Sequence, residues 1–269
     1  MDTATTGVRH PKGPAKPRKG PDARAFAAAL LDSTVGAKIL VALTGTALTL
    51  FVVFHMIGNL KVLQGPDAIN GYAYFLKHDL GALIWLARGG LLLAFVLHLA
   101  LALRLKLRSV AARPVPYQVF QPSQAGLASR TMVYTGVVVG LFTLFHLAHY
   151  TFGWVKGVQV PDAASGQKVW KNYLDLTDAK GRHDVYEMVV SGFSNLWVVA
   201  IYLVAQVVLF VHLRHGIPSV FQTLGIKNAR LRGGIDILGL LVALTILVGN
   251  VVLVLAVQLG WLKAQYAAG

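Results

Sequence analysis

The stretch that decides the fold is ILVALTGTALTLFVVFHMIGNL, residues 39–60, which contains no Asp, Glu, Lys or Arg. A helix needs roughly 20 apolar residues to cross about 30 Å of hydrocarbon, so this run predicts a transmembrane helix. Four comparable runs follow, at residues 80–105, 132–152, 193–213 and 235–259. The sequence therefore predicts an all-α membrane protein with five transmembrane helices.

The composition supports a membrane protein and limits its chemistry. Only 13% of the 269 residues are charged, whereas a soluble chain carries about a quarter. There is no cysteine, which excludes iron–sulfur clusters held by thiolates and covalently attached haem c. The net charge of +14 is distributed over short loops between apolar runs, so nucleic acid is not expected as a partner.

The distribution of basic residues predicts the orientation of the chain. Residues 1–34, with HPKGPAKPRKGP at 10–21, are expected to form a basic, flexible tail, and residues 35–269 the membrane domain. The long connection at 153–192 falls on the other side. Of the 25 Lys and Arg residues, 16 lie on the side of the N-terminus. The positive-inside rule therefore predicts a cytoplasmic N-terminus and an external C-terminus, and we expect the chain in a bacterial inner membrane.

Two histidines lie at the same predicted depth near the outer ends of spans one and three. His55 lies 17 residues after Lys38, and His146 lies 16 residues after Arg130. At about 1.5 Å per residue, both imidazoles are roughly 25 Å from the basic inner boundary. A single histidine in a membrane helix usually serves packing, but a pair at equal depth favours a shared ligand. We call His55 and His146 the outer pair.

A second pair lies near the inner ends of spans two and four, and we call it the inner pair. His98 comes six residues before Arg104, and His212 comes two residues before Arg214. Two pairs separated by on the order of 15 Å match what stacked b-type haems need, because each iron takes one imidazole from each of two helices. The four histidines are therefore predicted metal ligands for two haem b groups in a four-helix bundle, with span five added.

An internal repeat supports the pairing. FVVFHMIG around His55 matches FTLFHLAH around His146, and a Thr-Gly pair precedes each histidine by ten to eleven residues. A two-helix unit is therefore predicted to occur twice. Gly45 and Gly136, the two glycines of these pairs, are expected at the depth of the inner pair, where they either admit a porphyrin edge or allow close helix packing.

Other polar residues near the spans have more than one interpretation. Arg88 lies ten residues before His98, near the level of the outer pair. It is a candidate cofactor-binding residue that pairs with a haem propionate, or it extends to the interface as a membrane-edge arginine. His149 and His215 lie about one turn from His146 and His212, and compete with them as ligands. Glu187, the only glutamate, is expected at an outer quinone site or at a helix cap.

Several motifs resemble one family. FHMIGNLKVLQGPDAINGYAYFL at 54–76, ARPVPY at 112–117, ASRTM at 128–132, FHLAHYTFG at 145–153 and HLRHGIPSVFQTLGI at 212–226 resemble the single-chain cytochrome b subunits of succinate dehydrogenases (b558 type) and the related fumarate reductase anchors. The resemblance covers residues from about 35 to 259. It implies a five-helix anchor with two b haems, held by His55 with His146 and by His98 with His212.

The resemblance also implies partners and a role. A flavoprotein subunit and an iron–sulfur subunit would dock on the cytoplasmic side and carry out the succinate chemistry. The chain would pass electrons from the iron–sulfur subunit through the haems to quinone, typically menaquinone, within membrane lipid. The fumarate reductase anchor carries a glutamate beside its fourth-helix ligand, whereas Phe210, Val211 and Leu213 surround His212 here. That departure puts the associated proton path in doubt.

Two other kinds of protein remain open from the residues. One is the cytochrome b subunit of a hydrogenase or formate dehydrogenase, although the five spans and the long outer loop argue against it. The other is a haem-free transporter or proton channel that uses the histidines as a relay. Transporters usually have inverted repeats and broken helices, whereas the repeat here spans an even number of helices and is parallel.

Overall fold

The structure is a computed structural model that describes residues 22, 28, 30–112, 127–155, 157–162, 165–226, 228–265 and 267–268. Most of the predicted basic tail and the ARPVPY motif lie outside the described residues. The helices are α1 (Thr34–Asn59), α2 (Pro66–Tyr74), α3 (Ala82–Ala111), α4 (Leu127–His146), α5 (Val185–Gly192), α6 (Leu196–Thr223) and α7 (Ala229–Gln258). The strands are β1 (Gly157–Pro161), β2 (Lys168–Asn172) and β3 (Ala267–Ala268).

Five of these helices, α1, α3, α4, α6 and α7, are long and apolar enough to cross a membrane. The prediction of an all-α membrane protein with five such helices is therefore confirmed. Short polar side chains cap the starts of α1, α6 and α7: the Ser33 hydroxyl accepts from the Gly36 amide, Asn195 from Trp197 and Val198, and Asn228 from Arg230.

Four of the five helices form a ring. Helix α1 packs against α3, α3 against α4, α4 against α6, and α6 against α1, while α7 lies outside the ring against α6 and α1. Helices α1 and α4 therefore face each other across one diagonal, and α3 and α6 across the other. Within the most apolar 18-residue stretch of each helix, 33% of the residues of α6 and of α7 are buried, against 11% in α1 and 6% in α3 and in α4, so the last two helices form the best-packed part of the bundle.

Each of the five long helices extends past its predicted span at one end, and α3 and α6 do so at their C-terminal ends. Helix α3 continues to Ala111, so Arg104 and Arg108 lie on the helix and bond to Leu31 and Asp32 at the start of α1. Helix α6 continues through Pro218 to Thr223. A span predicted from hydropathy ends where charged residues begin. The helix itself continues for as long as its backbone hydrogen bonds and packing persist.

The end of α6 packs closely on α7. A side chain at Gly239 of α7 would bring its Cβ within 2.8 Å of the Pro218 ring, so the glycine permits this contact. Farther along the interface, the Asn250 amide donates to the Gln206 side-chain oxygen at 3.0 Å. Interhelical bonds of this kind contribute about 1 kcal/mol or less in membranes, so the interface rests on packing with this bond as a fixed point.

The predicted outer loop at 153–192 has its own structure. Strands β1 and β2 pair antiparallel from Gly157↔Asn172 to Pro161↔Lys168, and β3 from the C-terminus pairs with β1. The C-terminal strand therefore lies at the same end of the bundle as the long loop. This is expected, because two spans separate the loop from the C-terminal strand. This end is called the loop end below, and the outer pair was expected near it.

A polar clamp attaches the long loop to α2. Asp67 of α2 bonds to Lys180 at 2.7 Å and to Arg182 at 2.6 Å, and Arg182 also bonds to Asp178. The fully buried Asn70 donates to Asp184 and accepts from the Tyr186 amide. These contacts join segments more than 100 residues apart in sequence, which hydropathy could not predict.

Candidate functional site

The outer pair meets across one diagonal of the helix ring. The imidazoles of His55 on α1 and His146 at the end of α4 have ring centroids 5.7 Å apart and planes 86° apart. His55 stacks on Phe51, one turn earlier in α1, at 5.3 Å. Two imidazoles that share one metal ion have centroids roughly 6 Å apart, because each metal–nitrogen bond is about 2 Å. The separation of the outer pair is close to that value.

His149, the competing residue in span three, is turned away from His55. The chain after His146 widens into a single π-helical turn, Leu147–Thr151, which changes the direction in which His149 points. His149 is fully buried and stacks on Tyr150 at 4.0 Å. The structure therefore brings His146 and not His149 to His55, in agreement with the pairing expected from the repeat.

His98, the first member of the inner pair, makes two contacts with α1 through one ring nitrogen. Its Nδ1 lies 3.1 Å from the Val41 carbonyl and 3.2 Å from the Thr44 hydroxyl. The Thr44 hydroxyl donates its own hydrogen to the Leu40 carbonyl at 2.6 Å. Since a carbonyl can only accept, we assign the hydrogen to Nδ1. The Nε2 lone pair of the neutral ring is then available to a metal.

His212 repeats this arrangement on α4. Its Nδ1 lies 3.2 Å from the Thr135 hydroxyl, which donates its hydrogen to the Met132 carbonyl at 2.9 Å. Because the hydroxyl hydrogen is used in that bond, we assign the ring hydrogen to Nδ1 here too, and Nε2 keeps its lone pair. Metal-binding histidines almost always donate their second ring N–H to a carbonyl or another fixed acceptor. Both members of the inner pair have the donor arrangement of metal ligands.

The two glycines of the repeat face these imidazoles. A Cβ on Gly45 would lie 2.9 Å from Cε1 of His98, and a Cβ on Gly136 would lie 3.2 Å from Cε1 of His212. The missing side chains thus make room for the imidazole of the neighbouring helix. This contact is a form of close helix packing. It also places His98 within one helix turn of the level of Gly45, and Gly45 lies about 15 Å from His55 along α1.

Arg88 is not brought to the histidines. Its guanidinium lies over the Trp85 ring at 4.8 Å, and both side chains are exposed. Nearby Lys77, between two spans, has a pKa that burial lowers and that the positive charge of Arg88 lowers further. Two neighbouring cations, Lys77 and Arg88, would favour an anionic ligand such as a carboxylate. The pairing of Arg88 with a haem propionate stays a prediction.

Glu187 is buried beneath the loop end. It accepts from the Ser191 hydroxyl at 2.6 Å and from the Gln265 amide at 2.7 Å. The helix cap expected of it belongs to Asp184, which accepts from the Glu187 amide. Burial, followed by the negative charge of Glu187, raises the pKa of Tyr173 to about 12, so this tyrosine stays neutral. These contacts indicate a structural role for Glu187, whose carboxylate connects the C-terminal segment to α5.

Tyr202 is the residue that sequence reasoning missed. It lies on α6 with 5% of its surface exposed, and its hydroxyl is 3.1 Å from Nδ1 of His146 and 3.1 Å from Nδ1 of His149. The available signal was spacing, because Tyr202 precedes His212 by ten residues. That is the same interval that separates the outer and inner levels on α1.

The ligand chemistry fits paired histidines and no larger cluster. Within the described residues, no three or more His, Asp or Glu side chains are grouped to hold a metal ion. A haem iron with two axial imidazoles needs only two, and both pairs supply neutral ring nitrogens. Comparisons with protein-family models, curated proteins and solved structures found no match to this chain.

Proposed function

We propose that this chain is the membrane-anchoring, di-haem cytochrome b subunit of a succinate:quinone oxidoreductase. The observation that carries the proposal is the repeated arrangement of the inner pair. His98 and His212, on diagonal helices, each donate Nδ1–H to a neighbouring helix and keep Nε2 for a metal. A proton relay has no need for two imidazoles fixed in the same tautomer.

In this proposal each pair of histidines holds one haem b. His98 and His212 hold the inner one, and His55 and His146 the outer one. When bound, haem supplies one-electron transfer between the partner subunits and quinone. The protein's own contribution is to orient the imidazoles: carbonyl and threonine oxygens fix the inner rings, and Gly45 and Gly136 let neighbouring helices approach them.

The choice of succinate as the electron donor rests on the sequence motifs at 54–76, 145–153 and 212–226. These segments resemble the anchors of succinate dehydrogenase, with a flavoprotein and an iron–sulfur subunit as partners and menaquinone as acceptor. The basic side would face the cytoplasm and an acidic subunit surface or anionic lipid. The five spans and the long outer loop set the chain apart from hydrogenase and formate dehydrogenase cytochromes.

The haem content of the purified chain is the direct test. We expect two b haems per chain from a pyridine haemochrome assay and a reduced-minus-oxidised spectrum. His98→Ala and His55→Ala are each expected to remove one haem, because loss of one imidazole opens one pair. His78→Ala changes an exposed histidine between the first two spans, is the matched control and is expected to keep two. A folded chain without haem, isolated from haem-replete cells, would refute the proposal.

The electron donor is tested separately in native membranes. We expect succinate to reduce the haem absorption bands of the wild-type complex and hydrogen or formate to leave them oxidised. Malonate, which occupies a succinate site, is expected to block the reduction. If formate or hydrogen reduces the haems and succinate does not, the di-haem assignment stands. The partner subunits would then be those of a formate dehydrogenase or a hydrogenase.

A further inference from the structure

The outer pair is held differently from the inner pair. The inner imidazoles are fixed by oxygens of the neighbouring helix, whereas Nδ1 of His146 faces the hydroxyl of Tyr202 at 3.1 Å. The same hydroxyl lies 3.1 Å from Nδ1 of His149. Tyr202 therefore lies between a candidate ligand and a second histidine, which is fully buried.

The hydrogen count allows only one direction if His146 binds a metal. A tyrosine hydroxyl has one hydrogen, so it can donate to only one of the two imidazoles, and it is positioned to accept from the other. A metal on Nε2 of His146 places the hydrogen on Nδ1, which then donates to the tyrosine oxygen. The tyrosine in turn donates to Nδ1 of His149. The three groups form an ordered chain that runs from His146 through Tyr202 to His149.

Tyr202 cannot easily turn away from this position. Its ring makes edge-to-face contacts with Phe142 at 5.0 Å and with Phe193 at 4.8 Å. His149 is held in turn by its stacked neighbour Tyr150. Because aromatic packing fixes both rings, the acceptor for His146 is as preorganised as a backbone carbonyl.

We propose that Tyr202 is a positioning residue that holds His146 in the metal-binding tautomer and thereby sets the reduction potential of the outer haem. This inference rests on the proposed function and deepens it. An acceptor on Nδ1–H makes the imidazole a stronger electron donor and favours the ferric state. Losing the acceptor therefore raises the reduction potential of the outer haem and leaves the inner haem unchanged.

The test compares Tyr202→Phe with Tyr150→Phe in the intact complex. Both changes remove one buried hydroxyl near His146, but no described residue bonds to the Tyr150 hydroxyl. We expect Tyr202→Phe to raise the potential of the outer haem in an optical redox titration and to shift its low-spin EPR signal. It should also weaken retention of that haem by about 10–100-fold against apomyoglobin, as loss of a ligand's partner usually does.

A second variant keeps the test valid if Tyr202→Phe does not fold. His149→Leu removes the acceptor that directs the tyrosine hydroxyl, and we expect a smaller shift of the outer haem in the same direction. The single-haem variants His55→Ala and His98→Ala identify which signal belongs to which haem. Two unchanged haems in Tyr202→Phe, or an equal shift in Tyr150→Phe, would overturn the role of Tyr202. A wild-type chain without haem would instead overturn the proposed function.

Discussion

At the scale of single residues, Gly45 and Gly136 decide where two imidazoles lie. Gly45→Ala would bring a methyl group to 2.9 Å from Cε1 of His98, where something must shift. The ring is held by Val41 and Thr44 and has little freedom to move. We therefore expect Gly45→Ala to lower the inner-haem content markedly, as measured by a haemochrome assay and the reduced spectrum.

The other glycines of the bundle provide graded controls for this prediction. Gly136→Ala would meet His212 at 3.2 Å, so its effect should be smaller than that of Gly45→Ala. Gly140→Ala would meet only the Leu99 side chain at 3.8 Å, an ordinary contact, and should keep both haems. Equal haem loss in all three variants would mean that helix packing in general, and not the imidazole contact, was disturbed.

The spacing along each span predicts two pairs of histidines at two depths, because helical rise converts spacing into depth, and the structure brings His55 to His146. The contacts of His98 with Gly45 and of His212 with Gly136 agree with that depth. The role of Tyr202 was not predictable in the same way. The contact between Tyr202 and His146 depends on the rotation of α6 about its axis and on the π-helical turn after His146. Neither feature can be predicted from a hydropathy pattern.

At the scale of elements, the loop end is held to the bundle by charge. Hydrogen bonds from Lys180 and then from Arg182 hold the pKa of the Asp67 carboxyl below its ordinary value of 3.8. A lowered pKa in the folded protein means that the clamp contributes stability above pH 3.8. This contribution is lost as the pH falls through the still lower pKa of the folded state.

The clamp therefore predicts an acid-sensitive loop. We expect the amides of residues 176–186 to be protected at neutral pH, and their protection factors, which compare each rate with the intrinsic rate at the same pH, to fall as the pH drops below about 4. Asp67→Asn removes the charge at every pH and should give quicker exchange already at pH 7. Asp175→Asn changes an exposed carboxyl of the same loop outside the clamp and serves as control. Identical exchange in wild type and Asp67→Asn at pH 7 would contradict this account.

Helix ends were less predictable than helix number. The predicted spans end at residues 105 and 213, yet α3 continues to Ala111 and α6 continues to Thr223. In α3, Arg104 and Arg108 bond to the start of α1 and so remain on the helix. In α6, Ser219 donates to the His215 carbonyl at 2.7 Å within the turn that contains Pro218. The bonds of Arg104 and Arg108 reach residues more than 70 positions away, so hydropathy along the chain could not predict that end of α3.

At the scale of the whole molecule, an odd number of spans separates the two ends of the chain. Helix α1 begins beside Arg104 and Arg108, whereas β3 joins the sheet at the loop end. The parallel repeat predicted the four-helix core, since two copies of one helical hairpin close into a ring. The small sheet at 157–172 and its pairing with the C-terminus had no counterpart in the hydropathy pattern.

The absence of cysteine from the sequence allows the orientation of the molecule to be measured with two single substitutions. Gln167 lies exposed at the loop end, and Gln222 lies exposed at the other end of α6. Because 16 of the 25 basic residues belong to the end of Gln222, we expect that end in the cytoplasm. A membrane-impermeant maleimide added to intact spheroplasts should therefore label Gln167→Cys and spare Gln222→Cys until the cells are lysed. Labelling of Gln222→Cys alone would reverse the orientation and place the partner subunits on the other face.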